Sequence, residues 1–493
     1  MEKIWNDIYE YNVTPALERL RNISGVVLGF HSVIDGIKRV KAEEIEAVLN
    51  AHPDLKQEVL TKIDAVPIEI SSPADMLAGL LYSLRAGRSF RMVVREESAF
   101  RWIMKNFGYD RLKLGGTSGC MANSLAPLGI RKILVYANPL TKQLLELFVD
   151  SEDLFVATQI GDEVQLKNPH KAYQREGIEA MHWGFEFAEG TTIKLNDLTL
   201  TAPRTSRFYP CWNPVNNKLQ LSEAFKRGVL QYIDQFSHFI LAGYQVLSPD
   251  YPDGTTCIDY MLPTLEYLKE LKDAKPELKL HFECDTIPAD KIRRGILKYV
   301  LPQMDSLGLN EVELDYFIKD MRGEKIGELG GAGSVEYYFQ GLVELAELTG
   351  LKRIHFHNLG YYLCIQHPPS SPPSVKRGQG GDFQLERTRQ AMILAAVIAA
   401  QRALTGDVTV GQTFLSAGDV TFEQIKKIPF SQEGLEQMQV IAKHISVPAS
   451  FFETGILKYH GYNVIFLPTK VVKNPALTVG LGDTISAVAF LAE

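Results

Sequence analysis

Short apolar runs and amphipathic stretches alternate along most of the chain. Gly25 to Gly29 (GVVLG) is a β-branched burst that stops at glycine, Ala42 to Leu49 has amphipathic helical spacing, and Ile68 to Ile70 reads as extended. Asp75 to Gly87 (DMLAGLLYSLRAG) places apolar residues at helical spacing and ends on a glycine suited to a helix C-cap. KLGGTSGCMANSLAPLG then leads into KILVYAN, a helix feeding a strand. This βαβ rhythm predicts an α/β protein with parallel strands. From about Leu154 to Tyr209, strand-like pieces such as TTIKL and LTLTAP follow one another without a long helix, which predicts part of a separate, mostly β unit. The α/β rhythm resumes in FSHFILAGYQVL, KLKLHFECD, MDSLGLNEVEL, KRIHFHNLG and NVIFLPTKVV, strands that predict a doubly wound core. The segment His367 to Phe383 (HPPSSPPSVKRGQGGDF) has no apolar periodicity and reads equally as a lid over a ligand or as a tolerated insertion.

Composition narrows the function. The 493 residues carry 52 Lys plus Arg against 59 Asp plus Glu, a net charge of −7 with no block of like charge, which argues against a nucleic-acid partner. The start, MEKIWNDIYE, lacks the cationic and apolar regions of a secretory signal, and the longest apolar run, Ala391 to Leu404, is broken by Gln401 and Arg402. A cytoplasmic protein of enzyme size with no membrane partner is expected. Five scattered Cys without a CxxC are expected to stay reduced.

The sharpest chemical signal lies in NPALTVGLGDTISAVAFLAE. Gly480, Leu481 and Gly482 form a compact turn, Asp483 follows, and Thr484 to Phe490 has helical, core-compatible spacing. Glycines admit a ligand close to the backbone, and a helix starting there turns its unpaired N–H groups and positive dipole end toward an anion. A carboxylate would repel a merely bound phosphate. It makes sense as a base that takes the proton from an attacking hydroxyl while the N–H groups stabilise a phosphoryl group in transit. Taken alone, the tetrapeptide is equally read as a glycine turn with a capping Asp.

TVGLGDTIS resembles the G-x-G-D signature of the ribokinase-like fold in the form found in the archaeal ADP-dependent sugar kinases, the phosphofructokinases and glucokinases. His281-Phe282-Glu283 resembles their H-x-E and Asn310-Glu311-Val312-Glu313 their N-x-x-E, in the same order, and the likeness runs from about Gly25 to the C-terminus. It implies a three-layer α/β/α large domain of ribokinase-like fold with a smaller, mostly β lid. The large nucleotide-binding domain would comprise 1–35, 114–152 and 221–493, and the lid 36–113 and 153–220. Glu283, Asn310 and Glu313, at the ends of predicted strands, offer oxygens suited to Mg²⁺ or another divalent cation through its retained waters, although each singly is as well read as solvated or as a helix cap.

The resemblance also places the substrates. Asp35 in GFHSVIDGI would bind sugar hydroxyls, and Gly115 and Gly116 in KLGGTSG would offer backbone N–H groups at the lid hinge. Relatives commonly have N-x-N-V-D where this chain has His31-Ser32-Val33-Ile34-Asp35, and often Gln-Ala where it has Thr117-Ser118. Lys171 and Arg204 match the pair that grips a 6-phosphate in phosphofructokinase members, and Arg207 would reach the nucleotide phosphates. In SSPADMLAG, Ala74 stands where glucokinases carry a glutamate for a glucose hydroxyl, unless a one-residue slip puts Asp75 there. His355 and Tyr361 in HFHNLGYYL and Val472 in PTKVVKN would line the adenine site, with a core role for the tyrosine equally open. No Walker A sequence is present, so ADP as donor rests on the resemblance. The implied activity is transfer of the β-phosphoryl of ADP to the 1-hydroxyl of fructose 6-phosphate in a modified glycolysis, by a monomer or small homo-oligomer. A glucokinase or a bifunctional phosphofructokinase/glucokinase is the alternative.

Overall fold

A computed structural model describes residues 1–196, 198–323, 334–367, 383–406, 426–476 and 480–493. Among these, eleven strands form one large sheet in the order Ile456–Tyr459, Tyr462–Pro468, Tyr361–Gln366, Arg353–His357, Ser306–Asn310, Lys279–Glu283, His238–Leu241, Val26–Gly29, Ile133–Val135, Leu154–Ile160 and Glu163–Lys167. The middle of the sheet is parallel, from the Arg353–His357 strand across to the Leu154–Ile160 strand. Those central strands are buried on both faces, as helices above and below a parallel sheet require. The final helix, Leu481–Leu491, is buried from Thr484 to Leu491 and lies against the Lys279–Glu283, Ser306–Asn310 and Arg353–His357 strands. An apolar surface all round is what a helix needs to sit between a sheet and a second helix, here Leu385–Thr405.

A second sheet of six strands runs in the order Glu69–Ile70, Phe90–Val94, Ser206–Trp212, Met181–Phe187, Val33–Arg39 and Arg111–Gly115. Its apolar face packs on the helix Pro73–Ala86, where Met92 and Phe208 close over Gly79. That helix has a full capping box: Ser72 Oγ accepts from the Asp75 N–H, and Asp75 Oδ2 accepts from the N–H groups of Ser71 and Ser72. Gly87 ends it at φ +58°.

The smaller unit differs from the sequence expectation in extent. The Leu154–Ile160 and Glu163–Lys167 strands, expected in the lid, extend the edge of the large sheet, because Ile133 and Leu134 pair in parallel with Leu154 and Phe155. Local texture shows that such segments are strands but not which sheet they join. The small sheet also begins at Val33 and runs to Gly115, so Asp35 belongs to it and not to the large domain. The strand Tyr361–Gln366 is a further element that the expectation lacked; it turns the sheet antiparallel beyond His357. Most of the proline-rich segment His367 to Phe383 lies outside the described residues. Among the described residues, no helix is long and apolar enough to cross a membrane.

Beneath the large sheet's C-terminal edge, Arg293 is buried and held by Asp320 at 2.6 and 2.9 Å, and it donates to the carbonyls of Ile287 and Pro288. This anchors the loop that follows the Lys279–Glu283 strand. Asp320→Ala would leave a buried guanidinium without its counter-ion and should cost about 3–5 kcal/mol in denaturant unfolding. A loss within the range of an exposed pair, about 1 kcal/mol or less, would contradict that anchoring role.

Candidate active site

Gly480 caps the final helix with φ +72°, a left-handed conformation that strains any residue with a Cβ. The N–H groups of Leu481, Gly482 and Asp483 therefore open the helix without intrahelical acceptors, at the positive end of its dipole. A Cβ on Gly482 would lie 3.1 Å from His357 Nε2, so the turn passes close to that strand end. Arg402 fixes the turn from behind, donating through Nη1 to the Gly480 carbonyl at 3.0 Å and to the Thr484 hydroxyl. Thr484 Oγ1 is in turn 3.0 Å from Ser124 Oγ, which ties the turn to the helix Thr117–Leu125.

Two neighbouring strand ends bring carboxylates to this turn. Gly308 stands opposite Glu283, and a Cβ there would fall 1.9 Å from Ser486 Oγ and 2.2 Å from Glu283 Oε2. Only glycine lets the final helix and Glu283 approach so closely. Glu283 is buried, its Oε2 has no hydrogen-bond partner among the described residues, and His281 Nε2 lies 3.4 Å away. Asn310 caps the helix Glu311–Arg322: its Oδ1 accepts from Val312 and Glu313, and its Nδ2 donates to Glu313 Oε1 at 2.7 Å. The cap reading therefore replaces the expectation of Asn310 as a metal ligand, since its oxygen already serves two backbone donors. Its effect is to hold Glu313, itself buried, in place.

Asp285, two residues beyond Glu283, completes the group. Its Oδ2 accepts from the Gly243 N–H at 3.2 Å, and the Thr117 hydroxyl donates to the same carboxylate. Solvent still reaches part of Asp483, yet its enclosure in the cleft pushes its pKa up to about 8, with Asp285 and Asp35 adding repulsion and Arg402 opposing it. Burial likewise raises Asp285 to about 6, against the Gly243 and Thr117 donors and Arg91. Glu283 and Glu313 are raised well above the usual range, first by burial and then by one another's neighbours, Asp483 and Asp285 among them. Four carboxyl groups thus share one crevice at the C-terminal edge of the parallel sheet, the place where such sheets bind ligands.

The small sheet faces this crevice with a row set by strand register. Lys113, Asp35, His182 and Cys211 pair in succession across four strands, so their side chains share one face. The Asp35 carboxyl sits over Gly115, where a Cβ would come within 2.2 Å of it. Gly116, at φ +77°, leaves room for the His31 carbonyl, which a Cβ would meet at 2.3 Å. Burial raises Asp35 to about 7 against the pull of Arg91 and Lys113. His31 and His182 lie with ring centroids 5.8 Å apart, and burial lowers the pKa of both, so both are neutral at pH 7.

Other expected residues lie elsewhere. Lys171 is exposed on the turn after the Glu163–Lys167 strand, at the edge of the large sheet. Arg204 is exposed on the small unit and donates through Nε to the Gly87 carbonyl. No hydrogen bond or ion pair among the described residues joins either to the carboxylate crevice, and they stand on different sheets, so the expected joint grip on one phosphate is not what the fold assembles. Arg207 is paired with Glu186 at 3.2 Å. His355 is buried inside the sheet, and Tyr361 stacks on Phe466 at 5.0 Å, which makes both core residues in place of the expected adenine contacts. Val472 is partly buried against the core. Asp75 is taken up by its capping box and by Lys62 at 2.8 Å, and Ala74 is fully buried, so neither supplies the carboxylate a glucose hydroxyl would meet.

The chain matches the family model described as the ADP-specific Phosphofructokinase/Glucokinase conserved region over residues 24–492. It is 27% identical to an ADP-specific phosphofructokinase of Methanosarcina acetivorans, covering 97% of this chain and 94% of that one. It is 29% identical to an ADP-dependent glucose/glucosamine kinase of Pyrococcus furiosus, covering 99% and 98%. Among solved structures, the last common ancestor of ADP-dependent phosphofructokinases from Methanosarcinales superposes with a TM-score of 0.82 at 29% identity, over 99% of this chain and 97% of that one. An ADP-dependent kinase in complex with fructose-6-phosphate and ADPβS gives 0.76 at 27%, with the same coverage. With the parallel sheet, the glycine turn and the carboxylate crevice in place, the protein belongs to the ADP-specific phosphofructokinase/glucokinase family.

Proposed function

We propose that this protein transfers the β-phosphoryl group of ADP to the 1-hydroxyl of fructose 6-phosphate, giving fructose 1,6-bisphosphate and AMP, in the cytoplasm and as a monomer or small homo-oligomer. The observation that carries the reading is the position of Asp483 on the first turn of the final helix, beside unpaired N–H groups and within electrostatic reach of Asp285 and Asp35. In the ionised state Asp483 takes the proton of the attacking hydroxyl, and the N–H groups of Leu481 and Gly482 stabilise the charge spread over the phosphoryl oxygens. Asp35 accepts from sugar hydroxyls, and Gly115 and Gly116 bring backbone close to the ring. Closure of the small sheet over the crevice excludes water that would otherwise take the phosphoryl group.

The buried, unpartnered oxygen of Glu283 and the repulsion among Glu283, Asp285 and Glu313 suit a divalent cation such as Mg²⁺. Among the described residues no three His, Cys, Asp or Glu side chains form a ready direct-coordination site, which fits a cation held mostly through its own waters. When bound, it supplies neutralisation of the diphosphate charge. The absence of a free carboxylate at Ala74 or Asp75 favours the phosphosugar over glucose. Coupled assays of ADP and ATP with fructose 6-phosphate and with glucose test the reading: turnover is expected with ADP and fructose 6-phosphate, and turnover confined to glucose would overturn it.

The carboxyl pKa values set the pH dependence. A base works only when ionised, and burial holds protons on Asp285 and Asp483 up to about 6 and about 8. Therefore kcat/KM should rise with pH across that interval and level off above it. A profile flat across the interval would contradict the base assignment.

A further inference from the structure

The inner face of the small sheet carries a cation for which the chain supplies no counter-charge. Arg91 lies in register two residues before Val93, which pairs with Cys211, so its side chain shares the face of Cys211, His182 and Asp35. Its Nε donates to Cys211 Sγ at 3.2 Å, and no carboxylate among the described residues forms an ion pair with it. Neighbouring arginines are compensated: Arg95 is forked onto Glu69, with Nε at 2.6 Å from Oε2, and Arg207 is paired with Glu186 at 3.2 Å.

Arg91 lines one cavity with His182, Cys211, Asn213, Asn217 and Val246. Two further unpartnered groups belong to the same wall. Asn213 is only 8% exposed; its Oδ1 accepts from the backbone and the amide of Asn216, which orients the group and leaves Nδ2 buried without an acceptor. His182 Nε2 is also buried without a partner. A guanidinium fork, an amide donor and an imidazole nitrogen converging on one space, with no carboxylate paired to the cation, form a site for a small tetrahedral anion. The position along the crevice fits the acceptor and not the donor: Asp35 feels Arg91 as its strongest neighbouring charge, whereas the cation acting on Asp483 is Arg402.

We propose that Arg91, with Asn213 and His182, holds the phosphate of a phosphorylated acceptor sugar whose hydroxyls rest on Asp35. This rests on the phosphosugar reading above and assigns its specificity to residues other than Lys171 and Arg204. The test is steady-state kinetics and calorimetric titration of fructose 6-phosphate on the wild type, Arg91→Gln, Arg91→Lys and Asn213→Asp, with inorganic phosphate as a competitor. Arg91→Gln should raise KM and the dissociation constant for fructose 6-phosphate roughly tenfold or more, the scale of one charge-assisted hydrogen bond, with kcat within about threefold. Arg91→Lys should fall between, because lysine keeps the charge but not the fork. Asn213→Asp should weaken binding as well, and inorganic phosphate should compete in the wild type but not in Arg91→Gln. An unchanged KM in Arg91→Gln, or a loss confined to kcat, overturns the assignment while leaving the phosphosugar reading intact. A wild type that phosphorylates glucose and ignores fructose 6-phosphate overturns the reading itself.

Discussion

Asp483→Asn should lower turnover by roughly a hundredfold or more, with the affinity for ADP within about threefold, because the amide keeps the shape of the side chain and removes its basicity. The carboxyl lies in the first turn of the final helix and makes no ion pair there; Arg402 reaches the Gly480 carbonyl and the Thr484 hydroxyl behind it. The turn should therefore survive the substitution. Stability gives an independent check. An acid whose folded pKa is raised by burial contributes stability that is present below its ordinary range and is lost as pH rises through the folded value, here about 8. Asparagine cannot ionise, so above that pH the ligand-free variant should melt at a higher temperature than the wild type. A variant that is inactive and also less stable at alkaline pH would point to a structural role for Asp483 and remove it as the base.

Asp285→Asn should have the next largest effect and should change the shape of the pH profile as well as its height. Asp285 is the strongest charged neighbour raising Asp483, so removing its charge lets Asp483 ionise more readily. The rise of kcat/KM should move to lower pH by about one unit, on the scale of a single neighbouring charge. The plateau should nevertheless fall roughly tenfold to a hundredfold, since a carboxylate that helps organise the diphosphate and its cation is lost. The Gly243 and Thr117 donors can still meet an amide oxygen, which keeps the loop in place. An unmoved pH midpoint would show that the two carboxyl groups do not act on one another.

What the sequence made legible follows from how local each feature is. The strands at Val26–Gly29, Lys279–Glu283, Ser306–Asn310 and Arg353–His357 are apolar bursts closed by polar residues, and their own periodicity reveals them. Gly480, Gly482 and Asp483 are consecutive in effect, so a single helix start explains all of them. Asn310 and Glu313 were open between ligand and cap, and the spacing of three residues that suggested a shared ligand is also the spacing of a capping box. Asp285 could have been found by continuing the period of two past Glu283. Arg91, His182 and Lys113 could not, because they meet Asp35 only through the register of a sheet assembled from five distant segments. His355 and Tyr361 were drawn toward the ligand by their polar atoms, while the strand that carries Tyr361 is buried throughout.

The most direct measurement is phosphorus NMR of the purified protein mixed with ADP, a divalent cation and fructose 6-phosphate. The account predicts that AMP and fructose 1,6-bisphosphate appear together in equal amounts and that no inorganic phosphate accumulates. Release of inorganic phosphate from ADP with the sugar phosphate unchanged would contradict it.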